Sequence, residues 1–307
     1  MNGKEKIEEK EKRKFDVSSW YDRNYKKLLF LSLALLFASV IYIAVFYFFH
    51  HDFMHKDVSL TGGTSITVYV EKPINTRELE NFLEKELNKP TSIRTLQDIT
   101  ARKTIAVVIE TTADSEEAKR AIEKFLGFEL TQENSSIEIS GPTLSKSFYK
   151  QLIIAVILAF FFMAIVVFII FRTAIPSLAV ILAALTDLLG SLALCNALNF
   201  RIGTAGIAAF LMLIGYSVDT DIMLTTKVIK RRGESALNER LASAAKTGLS
   251  MTLTSFVAVL TAYFIVQSTV LKQIFFILSA GLFFDLISTW FGNASILKWY
   301  CEKKGLK

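Results

Sequence analysis

Residues 203–226 read GTAGIAAFLMLIGYSVDTDIMLTT. This run is long and apolar enough for a helix that crosses a bilayer, which needs about 20 residues. It nevertheless contains two aspartates, Asp219 and Asp221. A charge at the centre of a bilayer costs about 2.5 to 3.5 kcal/mol on insertion scales. The stretch therefore predicts a membrane-spanning helix whose polar side chains need partners.

The rest of the chain contains further runs of the same kind. Of its 307 residues 52% are apolar and 25 are Phe, which is unusual for a compact soluble domain. The predicted spans are residues 28–49, 152–171, 177–198, 203–226, 247–266 and 273–297. The first run follows a charged leader (residues 1–27) and has no small-x-small cleavage site after it, so it is predicted to be an anchor.

Lys and Arg collect in the leader, in the loop over residues 227–246 and in the tail over residues 299–307. With six spans these segments fall on the same side of the membrane, and the positive-inside rule makes that side cytoplasmic. The sequence therefore predicts a multi-pass protein of the cell membrane with both termini in the cytoplasm. These segments also explain the formal charge of +6, through proximity to anionic lipids, so no nucleic-acid partner is predicted.

The Cys and His residues do not form a pattern typical of a metal site or a disulfide bond. Cys195 lies near the outer end of the third span and Cys301 lies inside after the sixth, so the two are predicted not to pair. His50, His51 and His55 crowd one membrane exit without a matched ligand set elsewhere, which favours solvated interfacial side chains. No metal and no cofactor are expected.

Residues 50–149 differ in character from the spans, being charged, Thr-rich and periodic in short units. The predicted strands are residues 64–70, 92–97, 104–110 and 136–140, and the predicted helices are residues 75–87 and 115–126. The order βαββαβ predicts a ferredoxin-like α+β exterior domain, with two helices on one face of a four-stranded sheet. The other face is expected to stay open for a partner. The remaining five spans then occupy residues 150–298.

Four aspartates lie within predicted spans: Asp187 in the third, Asp219 and Asp221 in the fourth, and Asp285 in the sixth. At 100° per residue, Asp219 and Asp221 point about 200° apart on their helix. One is expected to face the other helices of this chain, and the other a second subunit or a water-filled crevice. Gly215, Tyr216 and Thr220 are predicted to lie on the side of Asp219, and Ser217 and Thr225 on that of Asp221.

Two roles for these carboxyls are compatible with the residue pattern. A buried carboxyl can take up a proton from one compartment and release it to the other, and one charge crossing 100 mV carries about 2.3 kcal/mol. Alternatively, the carboxyls hold the helices together by hydrogen bonds and do nothing more. The pattern alone leaves both roles open.

Several motifs point to a known family. They are DVSLTGGT at 57–64, ISGPTLSKSF at 139–148, the pair Thr186-Asp187, GYSV at 215–218 and the pair Lys246-Thr247. With one span, a large exterior domain and five more spans, the chain resembles the SecF family, one subunit of the SecD/SecF accessory complex of protein export, within the resistance-nodulation-division superfamily. The resemblance covers nearly the whole chain after the leader.

The sequence also departs from the pattern of bacterial SecF proteins. Those usually read Gly-Tyr-Ser-Val/Ile-Asn-Asp-Thr, so their aspartate aligns with Thr220, which Asp219 and Asp221 flank here. This variation resembles the archaeal branch. Asp285 stands where a small residue is expected, and Thr186 replaces a His. Asp187 is the one aspartate that matches column for column.

The resemblance implies a non-enzymatic helper that acts on a translocating polypeptide with SecD and a SecY-type translocon, coupled to protons across the lipid bilayer. The candidate proton carriers are Asp187, Asp219, Asp221 and Asp285, with Thr220, Lys246 and Tyr216 in support and Gly62 and Gly63 as a hinge or turn. Superfamily relatives pair two six-span halves, and this chain shows no internal repeat, so a partner half is expected.

Two other functions stay open as alternatives. A small-molecule/proton transporter half of the same superfamily would have the same spans. An intramembrane aspartyl protease would need Gly-x-Gly-Asp and Tyr-Asp within spans, whereas the fourth span has Gly-Tyr-Ser-Val-Asp and Tyr21-Asp22 lies in the leader. The protease is therefore the less favoured alternative.

Overall fold

The computed structural model describes residues 17–70, 74–89, 91–98, 103–230, 236–266 and 268–305. Residues 1–16 of the predicted leader and 231–235 of the predicted basic loop lie outside the described residues. Within the described ranges, six helices are long and apolar enough to cross a membrane. Together with a small antiparallel sheet between the first two of them, these helices confirm the predicted fold class.

Span 1 and the exterior domain come first in the chain. Helix α1 (Val17–His50) forms span 1, and a short helix α2 (Val58–Thr61) leads into the domain. The domain consists of β1 (Gly63–Tyr69), α3 (Thr76–Leu87), β2 (Thr91–Asp98), β3 (Lys103–Thr111), α4 (Ser115–Leu126) and β4 (Ser135–Ser140). Both helices begin at a capping side chain: Asn75 accepts from the Glu78 amide and Asp114 from the Glu116 amide.

The four strands form one antiparallel sheet in the order β2-β3-β1-β4. Because side chains alternate along a strand, Ile66 and Val68 of β1 share a face with their partners Ile109 and Val107 of β3. Helices α3 and α4 cover this face and bury these side chains completely or nearly so. The domain is therefore ferredoxin-like, as predicted.

The opposite face of the sheet is not fully open, which corrects the prediction. Glu110 of β3 is buried there and forms ion pairs with Arg94 of β2 and with Arg201, which follows the third span; the Arg201 Nη1–Glu110 Oε2 distance is 2.6 Å. A polar cavity of about 150 Å³ separates this face from Asp57 and Gln273 at the membrane side. The outer ends of the spans thus cover part of the face, a long-range contact that strand periodicity does not predict.

The remaining spans follow the exterior domain. Span 2 is α5 (Pro142–Phe171), span 3 is α6 (Ala174–Ala197), and span 4 is α7 (Thr204–Thr225), which continues as a π-helical turn (Thr226–Lys230). Span 5 is α8 (Leu237–Ile265). Span 6 consists of α9 (Thr269–Ile287), a π-helical segment (Ser288–Asn293) and α10 (Ala294–Lys303). Several helices extend beyond the predicted apolar runs, because a helix does not stop where its side chains become polar.

Spans 3, 4 and 6 form the centre of the bundle. Half of the residues in the most apolar 18-residue stretch of each of these spans are buried. In spans 1, 2 and 5 the corresponding share is 17% or less. Glycines allow close contact: a Cβ at Gly281 would lie 2.2 Å from Leu213 Cδ1, and a Cβ at Gly190 would lie 2.7 Å from Phe284 Cδ1. The spans that contain Asp187, Asp221 and Asp285 are therefore the ones that pack together.

Gly62 and Gly63 join α2 to β1. Both have positive φ angles, 86° and 138°, which non-glycine residues rarely adopt. A Cβ at Gly63 would lie 2.4 Å from the Thr111 carbonyl oxygen, because β1 and β3 pair at this point. This geometry gives the turn interpretation a physical basis, whereas the hinge stays a prediction.

Gly63→Ala is expected to destabilise the chain by about 2 kcal/mol or more, because it combines a strained φ with a clash against backbone. Thermal unfolding in detergent, followed by circular dichroism, measures the effect. Gly141→Ala is the matched control, since a Cβ there meets nothing within 4 Å and its φ is −68°. Equal melting temperatures for the two variants would contradict the strained turn.

Candidate functional site

Asp187 of span 3 is completely buried and joins three spans. Ser217 Oγ of span 4 donates to Asp187 Oδ2, and Ser288 Oγ of span 6 donates to Asp187 Oδ1, both at 2.5 Å. Both carboxyl oxygens therefore have short hydrogen bonds from neighbouring helices. Hydrocarbon offers no such donors, so the protein itself must supply them.

Asp285 of span 6 is also completely buried. Thr252 Oγ1 of span 5 donates to its Oδ2 at 3.2 Å, and Thr289 Oγ1, one turn further along span 6, lies 3.0 Å from its Oδ1. Thr220 Oγ1 of span 4 lies 3.4 Å from Thr252 Oγ1. A chain of hydroxyls thus connects Asp285 to spans 4 and 5.

Asp221 of span 4 is the third completely buried carboxyl. Its Oδ1 accepts from Asn293 Nδ2 at 2.7 Å and lies 3.0 Å from Thr289 Oγ1. The Thr289 hydroxyl therefore touches both Asp221 and Asp285. Because a hydroxyl has a single hydrogen, it can donate to one of them only, and the other contact is favourable when that carboxyl carries a proton.

The three carboxyls have no ion-pair partner in the part of the chain that the structure describes: its Lys and Arg ion pairs all involve other acids. Neutral hydroxyl and amide groups satisfy the carboxyls instead. Adjacent carboxylates would repel each other strongly at this depth, since little solvent screens them. The arrangement can accordingly bind protons and share them between neighbours.

The π-helical segment in span 6 brings its polar side chains together. A π-helix bonds residue i to i+5, so Ser288 and Asn293 stand above one another, and Thr289 stays one α-turn from Asp285. Close approach of span 1 accompanies this turn: a Cβ at Gly292 would lie 2.5 Å from Ser32 Oγ. Single π-helical turns inside α-helices occur frequently at functional sites.

The fourth candidate, Asp219, does not join the cluster. It is exposed on the side of span 4 that also exposes Gly215 and Tyr216, away from the other helices of this chain. The opposite orientations of Asp219 and Asp221 agree with the 100° rotation per residue. The expected position of Thr220 on the side of Asp219 is wrong, because Thr220 is buried against Thr252 of span 5.

Of the two other supporting candidates, Tyr216 is 47% exposed and Lys246 is exposed near the inner end of span 5. Neither touches the carboxyl cluster. Sequence reasoning missed its main donors: Thr252, Ser288, Thr289 and Asn293. One available signal was the spacing of Asp285, Thr289 and Asn293, which recur every four residues on one face of span 6.

Comparison with known proteins gives one consistent result. A family model described as the C-terminal region of the protein export membrane proteins SecD/SecF matches residues 121–303. The protein-export membrane protein SecF of Methanocaldococcus jannaschii is 36% identical over 284 residues, which is 91% of this chain and 96% of the relative. SecF of Methanothermobacter thermautotrophicus is 36% identical over 258 residues, 81% of this chain and 85% of the relative.

Solved structures show the same fold. A crystal structure of SecDF from Thermus, described as a translocon-associated membrane protein, superimposes with a TM-score of 0.73 at 18% identity. The match covers 94% of this chain and 39% of the SecDF chain. A second SecDF structure, in a super-membrane-facing form, gives a TM-score of 0.59 at 20% identity, over 91% of this chain and 38% of the other. The chain thus spans about two fifths of those longer proteins.

Thr289→Val tests the shared hydroxyl, because valine keeps the side-chain shape and removes the donor. We expect the free energy of unfolding to fall by about 1 to 3 kcal/mol, since buried carboxyl oxygens lose their partner. Unfolding by SDS in mixed micelles measures it. Thr254→Val is the matched control, because that hydroxyl is on an exposed residue of span 5 and donates to the Ser250 carbonyl. Similar losses in both variants would count against the bridge.

Proposed function

The chain belongs to the SecF family of protein-export membrane proteins, and from this we propose that it assists polypeptide translocation by coupling it to the proton gradient through Asp187, Asp221 and Asp285. The observation that carries the proposal is the buried cluster itself. Three carboxyls from spans 3, 4 and 6 meet in the bundle, have neutral donors and lack an ion-pair partner among the described residues. No enzymatic step is part of this proposal.

Proton transfer changes the hydrogen bonds of the cluster. A protonated carboxyl donates one hydrogen bond, whereas a carboxylate accepts only. When Asp221 or Asp285 loses its proton, the Thr289 hydroxyl between them must reorient toward the charged oxygen. The donors lie on spans 4, 5 and 6, so each protonation state favours its own placement of these helices. Proton uptake on one side and release on the other would then drive a cycle.

The outer end of span 6 supplies a route from the cluster to the exterior domain. Gln273 Nε2 donates to Asp57 Oδ2 at 2.7 Å, just before α2, and Gln273 Oε1 accepts from the Gly203 amide at 3.0 Å. The ion pair between Arg201 and Glu110 adds a direct contact to the sheet. A shift of span 6 against span 4 would therefore move the base of the exterior domain, which we propose contacts the translocating polypeptide.

We also propose that SecD is the partner that covers the exposed side of span 4. Asp219 and Tyr216 lie on that side, where lipid would be a poor environment for a carboxyl. The matched SecDF chains are more than twice as long as the part that this chain covers, which leaves room for a second half. A SecY-type translocon is the third member of the proposed assembly. Basic residues at the ends of spans 4 and 6, including Lys227, Lys230 and Lys304, support cytoplasmic termini in the cell membrane.

Asp187→Asn and Asp221→Asn should abolish the stimulation of translocation by a proton gradient, because asparagine keeps the shape and hydrogen bonding but carries no exchangeable carboxyl proton. The assay is uptake of a secreted polypeptide into vesicles that contain the chain, SecD and the translocon, with and without an imposed gradient. Copurification with SecD should be unchanged. Asp219→Asn, outside the cluster, should give a different and weaker effect. Full stimulation in both cluster variants would instead favour a purely structural role.

Tyr216→Cys should form a cross-link to SecD with a short bifunctional reagent, because the proposed interface includes this position. The buried native residues Cys195 and Cys301 are replaced by alanine beforehand. Phe30→Cys is the matched control, being exposed on span 1, which packs on spans 3 and 6 and not mainly on span 4. The product is detected by immunoblot. Efficient cross-linking from Phe30 but none from Tyr216 would place SecD on another side of the bundle.

A further inference from the structure

Spans 1 and 5 border a cavity on the inner half of the bundle. Span 1 packs on spans 3 and 6, whereas span 5 packs on spans 4 and 6. The cavity between them has a volume of about 260 Å³ and is lined by residues of spans 1, 5 and 6, including Leu28, Leu249 and Phe291. Leu249 and its neighbour on the wall, Ala242, are exposed, so the cavity opens at the surface of the bundle. Leu28 starts the first predicted span, which places the opening within the inner leaflet.

The inner end of the cavity is closed by polar contacts. Asn238 Nδ2 of span 5 donates to Asp22 Oδ2 of span 1 at 2.7 Å. Lys298 of span 6 forms an ion pair with the same carboxylate and donates to Asn238 Oδ1 at 3.3 Å. These three side chains satisfy one another, while the walls deeper in the membrane consist of apolar side chains such as Leu28 and Leu249. The cavity is therefore polar at its cytoplasmic end and apolar toward the bilayer centre.

Trp290 of span 6 is the exception among the apolar walls. Its side chain is 8% exposed, and its indole nitrogen has no hydrogen-bond partner among the described residues. A Cβ at Gly248 of span 5 would lie 2.5 Å from Trp290 Cζ2. Because Cζ2 and Nε1 are bonded to the same ring carbon, the N–H lies beside span 5, at the level of the cavity residues Ala245 and Leu249. Buried donors without an acceptor are uncommon, so the indole indicates a ligand that brings an oxygen.

An aliphatic chain attached to an oxygen fits this cavity better than water does. A buried water needs about two to four polar partners, whereas the other polar groups of the wall already bond within the protein. An apolar cavity of about 150 Å³ is large enough to bind benzene, and the cavity beside Trp290 is larger. Membrane lipids have both features, since an oxygen joins each of their chains to glycerol.

Cations beside the opening favour a lipid with a negative headgroup. Lys26 stands one helical turn after Asp22 on span 1, and Lys246 stands one turn after Ala242 on span 5. Both lysines are exposed, and neither forms an ion pair among the described residues. Glu239, the nearest exposed acid on span 5, lies two turns inward of Lys246. Basic pockets between spans on the cytoplasmic side are typical binding sites for anionic lipid headgroups.

We propose that an anionic phospholipid of the inner leaflet binds between spans 1 and 5. One of its chains occupies the cavity, an oxygen next to that chain accepts a hydrogen bond from Trp290 Nε1, and Lys26 and Lys246 contact the phosphate. The depths agree, because Lys246 lies two residues, about 3 Å, from Gly248, which contacts the indole. No member of the carboxyl cluster lines the cavity, so the site does not rest on the proposed proton coupling.

Native mass spectrometry of the full chain in detergent, titrated with phosphatidylglycerol or with phosphatidylcholine of the same chains, tests the site. The wild type should bind phosphatidylglycerol about tenfold more tightly, because two lysines attract its net negative headgroup. Trp290→Phe should weaken this binding about three- to tenfold through the loss of one hydrogen bond. Lys246→Gln should weaken it about fivefold. Ala245→Phe should fill the cavity and abolish saturable binding.

Each variant has a matched control. Trp299→Phe changes an exposed indole outside the cavity, Lys230→Gln removes a cation at the inner end of span 4, and Ala258→Phe enlarges an exposed position of span 5. All three controls should bind phosphatidylglycerol as the wild type does. If Ala245→Phe does not fold, Ala242→Phe, at an exposed position of the same wall, takes its place.

Ultraviolet resonance Raman spectroscopy reports the Trp290 N–H directly, as the difference between the wild type and Trp290→Phe. The N–H should be hydrogen-bonded when phosphatidylglycerol is present and unbonded after the lipid is removed. Equal affinity for the two lipids overturns the inference, and so does wild-type binding in both Trp290→Phe and Ala245→Phe. An N–H that stays bonded without lipid also overturns it, since water or another part of the protein would then supply the acceptor.

Discussion

The constraint on which the structure depends is that hydrocarbon satisfies no polar group, so each buried carboxyl needs its donors from neighbouring helices. Asp187, Asp221 and Asp285 meet this constraint through hydroxyls and one amide. Because the donors lie on spans 4, 5 and 6, spans 4 and 6 pack against span 3, and span 5 packs against spans 4 and 6. Small residues at Gly190 and Gly281 allow the contact. The polar groups therefore determine which spans are central, while the apolar residues determine only that they are spans.

The π-helical segment of span 6 follows from the same constraint. A regular α-helix would place Ser288 about 140° from Asn293, so the two side chains would point in different directions from span 6. The wider turn aligns them, and Ser288 then serves Asp187 while Asn293 serves Asp221. The cost of the irregular backbone is offset by two hydrogen bonds to buried carboxyls, each stronger than a bond between neutral groups when the carboxyl is charged. The π-helical geometry of span 6 therefore supports the hydrogen bonds to both Asp187 and Asp221.

Periodicity in the sequence accounts for most of the fold and part of the site. Apolar runs predict the six spans, and the βαββαβ order of short strands and helices predicts the ferredoxin-like domain. The rotation of 100° per residue separates Asp219 from Asp221. The same rotation misplaces Thr220, whose burial depends on span 5, and it does not predict that Ser288 and Asn293 align, because the π-helical segment breaks the period. Contacts between distant elements, such as Glu110 with Arg201, have no local signature at all.

Span 6 connects the two parts of the molecule that sequence periodicity treats as separate. Gln273 at its outer end contacts Asp57 and Gly203, and Asp285 lies about 18 Å further inward at 1.5 Å per residue. The α-helical part between them is continuous and packs against spans 3, 4 and 5, so it moves as a rigid element. Under the proposed function, a change in the bonds at Asp285 would therefore shift Gln273, and the polar cavity beneath the sheet leaves space for that movement. A bundle with apolar residues at Asp285 and Gln273 would have the same spans, but it would lack the polar contacts that connect its two ends.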